Sequence, residues 1–138
     1  MNVLVDTSVW SIAYRRPAAA LNLQQRSLLN SLRELASDGR AQLLGVVRQE
    51  MLSGLRETSQ FERLRKLLQA FPNVLLESED YEEAARMNNI CRAKGVTGSG
   101  VDCLMCAVAF RRDWSILTLD RDFDHYAKHL SIKLFAIK

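Results

Sequence analysis

Along the chain, short all-apolar runs bounded by polar residues alternate with longer stretches in which apolar residues recur every three or four positions. The first pattern marks a buried strand and the second an amphipathic helix. The runs are VLV at 3–5, LLGVV within 42–47, VLL at 74–76, SILTL at 115–119 and the segment 132–137. Between them, a helix follows Ser8 and is broken by Pro17. A longer one covers 18–36, with Leu21, Leu28, Leu32, Leu35 and Ala36 on one stripe and Gln24, Gln25 and Arg33 opposite. The next carries Glu50 in its first turns and ends near Gly54; Ser59 caps another over 60–71. Asp80 caps a helix to Ala93, closed by Lys94 and Gly95. Residues 101–110 are apolar on almost every side, so this helix should be buried, with Ser99 as its N-cap. A short helix at 123–129 precedes the last strand. This alternation predicts an α/β fold: a central, mainly parallel sheet with helices on both faces.

Composition narrows the picture without changing it. A chain of 138 residues is expected to form one domain over 1–138. Hydrophobic content of 48% and charged content of 25% are those of a soluble globular protein. Nineteen basic against 16 acidic residues give a net charge of +3, compatible with a polyanionic partner. No apolar run approaches the roughly 18–20 residues of a membrane span, and the first residues lack the basic region of a signal peptide. Three cysteines, Cys91, Cys103 and Cys106, are an odd number and point to reduced thiols in the cytoplasm.

The acids carry the candidate chemistry. Ligands of parallel sheets bind beyond the carboxyl ends of the strands. Asp6 ends the first strand there, Glu50 follows the second by about a turn of helix, and Asp120 ends SILTL with Asp122 close behind. Asp102 lies in the first turn of the apolar helix, where an unpaired carboxylate would be costly to bury. Each has an ordinary reading alone: a cap, a solvated helix acid, a residue favoured by the helix dipole, a turn. Together they fall on one edge of a parallel sheet. Carboxylates meeting there repel one another, and a hard divalent cation with oxygen ligands resolves that repulsion.

The ordered set VLVDTSVW, E-x-L-x-G at Glu50, Leu52 and Gly54, the Asp102 helix after a glycine-containing loop, and LTLDRDFD resembles PIN-domain proteins of the VapC type, the toxins of toxin–antitoxin pairs. The resemblance spans nearly the whole chain. It implies a PIN-like three-layer α/β/α fold and an endoribonuclease dependent on Mg²⁺, with Mn²⁺ as a substitute. It maps the family's acid tetrad onto Asp6, Glu50, Asp102 and Asp120, with Asp122 competing for the fourth place, and gives Thr7 or Ser8 and Thr118 the task of orienting carboxylates or water. It further implies an RNA substrate, a homodimer, and a small antitoxin that wraps a hairpin of the helices at 21–36 and 60–71. Arg15, Arg16, Arg48, Arg111, Arg112 and Arg121 are candidates to hold the RNA backbone.

Other readings start from the same residues. Cys103-x-x-Cys106 with His125 and His129 imitates zinc-ligand spacing, but both cysteines fall in the apolar helix and a strand separates the pairs. A phosphatase with an Asp nucleophile after the first strand would want a second acid at Ser8; a receiver-type signalling domain would want paired acids there and a late lysine. A non-cleaving RNA-binding module is the remaining alternative. Trp10, Tyr14 and Trp114 suit packing better than base stacking.

Overall fold

The computed structural model describes residues 1–15 and 18–137. β1 (Val3–Val5) is buried along its whole length and is flanked by β2 (Ala41–Gln42) and β3 (Ser115–Leu117), with β4 (Lys133–Leu134) beyond β3. The order is β2-β1-β3-β4 and every pairing is parallel, with Val5 opposite Leu117. Among the described residues, seven α-helices flank the sheet: α1 (Thr7–Arg15), α2 (Leu23–Ser37), α3 (Gly45–Ser53), α4 (Thr58–Leu68), α5 (Ser78–Ala93), α6 (Gly100–Arg112) and α7 (Asp122–Ala127). The chain leaves β1 toward β2 on one side and leaves β3 toward β4 on the other. The crevice of this open sheet therefore falls between the carboxyl ends of β1 and β3.

The α/β expectation holds, and several boundaries move for local reasons. The run at 42–47 is mostly not a strand. Leu44, Val47 and Met51 are all fully buried, and their three- and four-residue spacing serves a helix that begins at Gly45. Residues 74–76 form no strand; a single bridge joins Leu43 to Asn73. The 18–36 helix divides into one 3₁₀ turn (Ala18–Ala20) and α2, because Asn22 and Gln25 form a capping box, their side chains and main-chain N–H groups paired at 2.8 and 3.0 Å. α4 follows Glu57 rather than a Ser59 cap, and Glu77 rather than Asp80 precedes α5. α2 packs on α1 and α4 on α3, so the expected hairpin of α2 with α4 does not form. Pro17 lies outside the described residues.

The core gathers around β1 and α6. Residues 103–109 of α6 are all buried, as the absence of a polar face requires. Trp10 is fully buried, donates its indole N–H to the Val5 carbonyl at 3.0 Å and meets Phe71 edge-on at 4.8 Å, so it is packing rather than a base platform.

Asp80 is the other surprise. It is fully buried as the third residue of α5 and accepts from the Glu77 N–H at 2.8 Å. Arg111 and Arg112, at the end of α6, donate to its carboxylate at 2.7 Å each. These arginines, candidates for the RNA backbone, thus also hold helix to helix through Asp80. Arg48 is likewise engaged, donating to Asn73 at 2.8 Å and to the carbonyls of Leu68 and Phe71. Arg121 is exposed, while Arg16 and the Arg15 side chain lie outside the described residues.

The Arg112 hydrogen bond, with the Glu77 N–H and Arg111 adding to it, holds the Asp80 carboxyl well below its ordinary range against the cost of burial. A folded pKa below the unfolded one gives stability that is complete above about pH 4 and is lost as the pH falls further. Replacing Asp80 by Asn should cost about 3 kcal/mol at neutral pH. Urea titrations should also show that the variant loses less stability than the parent between neutral pH and acid.

Candidate functional site

The register of β1 with β3 decides where the acids meet. The Asp6 N–H donates to the Leu117 carbonyl at 2.9 Å, continuing the strand pair by one step, and leaves Asp6 beside Thr118. The carbonyl of Asp6 also receives the N–H groups of Val9 and Trp10, so the residue both ends β1 and starts α1. Its side chain is 6% exposed. Two hydroxyls fix it: Ser8 Oγ donates to Asp6 Oδ2 at 2.7 Å and Thr118 Oγ1 to the same oxygen at 2.9 Å. Each hydroxyl in turn accepts a main-chain N–H from the segment leaving β3, Leu119 onto Ser8 at 3.1 Å and Asp120 onto Thr118 at 2.9 Å. Asp6 and the Asp120 segment are therefore parts of one hydrogen-bonded unit.

Asp120 then turns the chain into α7. Its Oδ1 accepts the Asp122 N–H at 2.9 Å, an Asx turn that presents both acids on the same short stretch. Asp102 comes to them from α6. Ser99 caps that helix by accepting the Asp102 N–H at 3.0 Å, as its position in the sequence suggested. Asp102, Asp120 and Asp122 each offer a carboxylate oxygen within 4.8 Å of the others. Asp102 is partly buried; Asp120 and Asp122 are exposed. Burial pushes the Asp102 carboxyl above the usual carboxylate range, and the charges of Asp6 and Asp120 push it the same way, against a hydrogen bond from Tyr126. Asp122, which the sequence left as a competitor of Asp120, stands with it in this group.

Glu50, the sixth residue of α3, is exposed and is not part of that carboxylate group. Thr7 Oγ1 donates to its Oε1 at 3.1 Å, which links it to the residue after Asp6. A groove of about 480 Å³ lined by Val46, Gln49, Glu50, Ser53 and Val101 lies alongside. Tyr126 is the site residue that the sequence reading missed. Its hydroxyl donates to Asp102 Oδ2 at 2.8 Å, and the only hint was its spacing of four from Asp122 on a helix. The cysteines are buried, Cys103 and Cys106 within α6, whereas His125 and His129 are exposed on and after α7.

Such an arrangement, oxygen ligands crowded at the carboxyl edge of a parallel α/β sheet, defines a domain built to concentrate negative charge at one point. The chain belongs to the PIN-domain family, which it matches over residues 3–129. It is similar to ribonuclease VapC11 of Mycobacterium tuberculosis and to VapC ribonuclease Mb1587 of Mycobacterium bovis. Each is 27% identical over 128 residues, which is 91% of this chain and 92% of theirs. Its fold matches that of FitAcB from Neisseria gonorrhoeae, with a TM-score of 0.74 and 19% identity over 97% of this chain and 96% of that one. It also matches VapBC2 from Rickettsia felis, solved with a promoter DNA fragment, with a TM-score of 0.71 and 15% identity over 98% of both chains.

Because burial and two neighbouring charges act together on Asp102, its carboxyl should titrate above the ordinary value of about 3.9 in metal-free protein. Asp120→Asn removes one of those charges at an exposed position and should bring the titration down. Carbon-detected NMR of the carboxyl would read both.

Proposed function

We propose that the chain is a cytoplasmic, metal-dependent endoribonuclease, the toxin of a toxin–antitoxin pair, acting as one domain over residues 1–138. The observation that carries this reading is the carboxylate trio of Asp102, Asp120 and Asp122 beside Asp6 in a PIN-family chain. The donors fit a hard divalent cation: all are carboxylate oxygens, three lie within 4.8 Å of one another, and the crowding makes ionisation of Asp102 unfavourable without a counter-charge. Asp6, Asp102, Asp120 and Asp122 would hold Mg²⁺, or Mn²⁺ in its place, with Glu50 tied to Thr7, the residue after Asp6. When bound, the cation would make water a better nucleophile and offset charge growing on the phosphoryl oxygens.

The protein's own groups then have separate tasks. Ser8 and Thr118 both donate to Asp6 Oδ2, which keeps that carboxylate in one orientation and leaves Oδ1 free of them. Glu50 and Asp120, both exposed, can orient the attacking water or take its proton during an in-line displacement. Single-stranded or looped RNA is the substrate that suits, because its phosphates can reach a recessed group of acids. The groove beside Glu50 offers such a strand a path.

In this reading the chain pairs with an antitoxin and is itself a homodimer; the antitoxin part is supported by the similarity in fold to a VapBC-family toxin–antitoxin structure from Mycobacterium tuberculosis. A cleft of about 310 Å³ lined by Tyr14, Leu55, Gln60, Arg63, Leu64 and Leu67, with more polar than apolar surface and a cation at Arg63, is a seat for that partner. The phosphatase reading loses ground, because the position two residues after Asp6 holds a hydroxyl already donated to Asp6 itself.

Asp102→Asn and Asp6→Asn should each lower RNA cleavage by at least about 100-fold and remove toxicity on expression, with the fold intact by circular dichroism. Cleavage of a labelled RNA should stop on chelation and return with Mg²⁺ or Mn²⁺. Undiminished cutting by either variant would remove that residue from the site.

A further inference from the structure

We propose that Tyr126 is a positioning residue that presents the Asp102 carboxylate to the divalent cation, an inference that rests on the metal-site reading above. Asp102 is partly buried among like charges, and repulsion from Asp120 and Asp122 favours any rotation that carries it away. The Tyr126 hydroxyl opposes that rotation by donating to Oδ2 at 2.8 Å, which holds the carboxylate where one of its oxygens lies within 4.8 Å of those of Asp120 and Asp122.

The surroundings of the ring make this a fixed post. Tyr126 is 2% exposed, and its ring meets the fully buried Phe123 edge-on, with centroids 5.2 Å apart at 80°. The loop before α6 also closes on it at Gly98. A Cβ there would lie 3.2 Å from Cys103 Sγ and 3.4 Å from Tyr126 Cε1. The ring thus has close neighbours in Phe123 and Gly98, and its hydroxyl reaches Asp102. Asp122 and Tyr126 are four residues apart in α7, so they project from the same face of that helix. One hydrogen bond therefore ties the acid of α6 to the helix that carries the acid facing it. Partners of a metal-binding carboxylate set its orientation, and losing one typically weakens metal binding about 10- to 100-fold.

Tyr126→Phe keeps the ring and removes the hydroxyl. Mn²⁺ titration of the metal-free chain, with free Mn²⁺ read by electron paramagnetic resonance, compares it with the parent, with Asp102→Asn and with Asp80→Asn. Asp80→Asn loosens the fold at the far end of α6 without touching the acids of the site. Expected are Mn²⁺ binding by the parent, its loss in Asp102→Asn, about 10-fold weaker binding by Tyr126→Phe at an unchanged melting temperature, and near-parental affinity for Asp80→Asn. Parental affinity in Tyr126→Phe, or an equal loss in Asp80→Asn, overturns the role while leaving the metal site standing. A parent chain that binds no Mn²⁺ overturns the metal site and the role with it.

Discussion

The site depends on β1 lying parallel to β3 with Val5 opposite Leu117. That register brings the first residue after each strand to the same edge, and side chains there have no choice of neighbour. Asp6 meets Thr118, and through Thr118 it meets the backbone of Asp120. A shift of one residue would turn Asp6 to the other face of the sheet. Since β1 is buried on both faces, such a shift would also place the Asp6 carboxylate in the core. The hydrophobic cost of misregister therefore enforces the polar geometry.

Around that fixed point the chain sets negative charges against one another. Asp102 bears the largest share, because it is the least exposed of the trio and burial raises the cost of its charge. Asp80 shows the contrasting solution in the same molecule. It is more deeply buried, yet it is held ionised by two guanidinium groups and a main-chain N–H. One acid has its counter-charge built into the protein. The other has none paired with it among the described residues, which is the arrangement expected of a site that borrows its positive charge from outside.

Much of this was legible in the sequence, and the exceptions have physical causes. Apolar runs ending in an acid placed Asp6 and Asp120 correctly, and a carboxylate in the first turn of an otherwise apolar helix marked Asp102. The second strand was overread, because LLGVV fits either period until Met51 is counted, and burial of Leu44, Val47 and Met51 chose the helix. Arg111 and Arg112 looked like surface cations because nothing in a sequence reveals a buried acid 31 residues away, as between Asp80 and Arg111, and Arg48 did so because its partners are Asn73 and the carbonyls of Leu68 and Phe71. Tyr126 was missed for the same reason: a hydroxyl at the end of a long ring finds its partner only in three dimensions.

Gly98 has a consequence for how this sequence can drift. The space its missing side chain leaves is filled by a thiol on α6 and by an aromatic ring on α7. A methyl group at 98 would need the Cys103 thiol to give by a few tenths of an ångström, so the freedom of position 98 to change is set by how far its neighbours at 103 and 126 can yield.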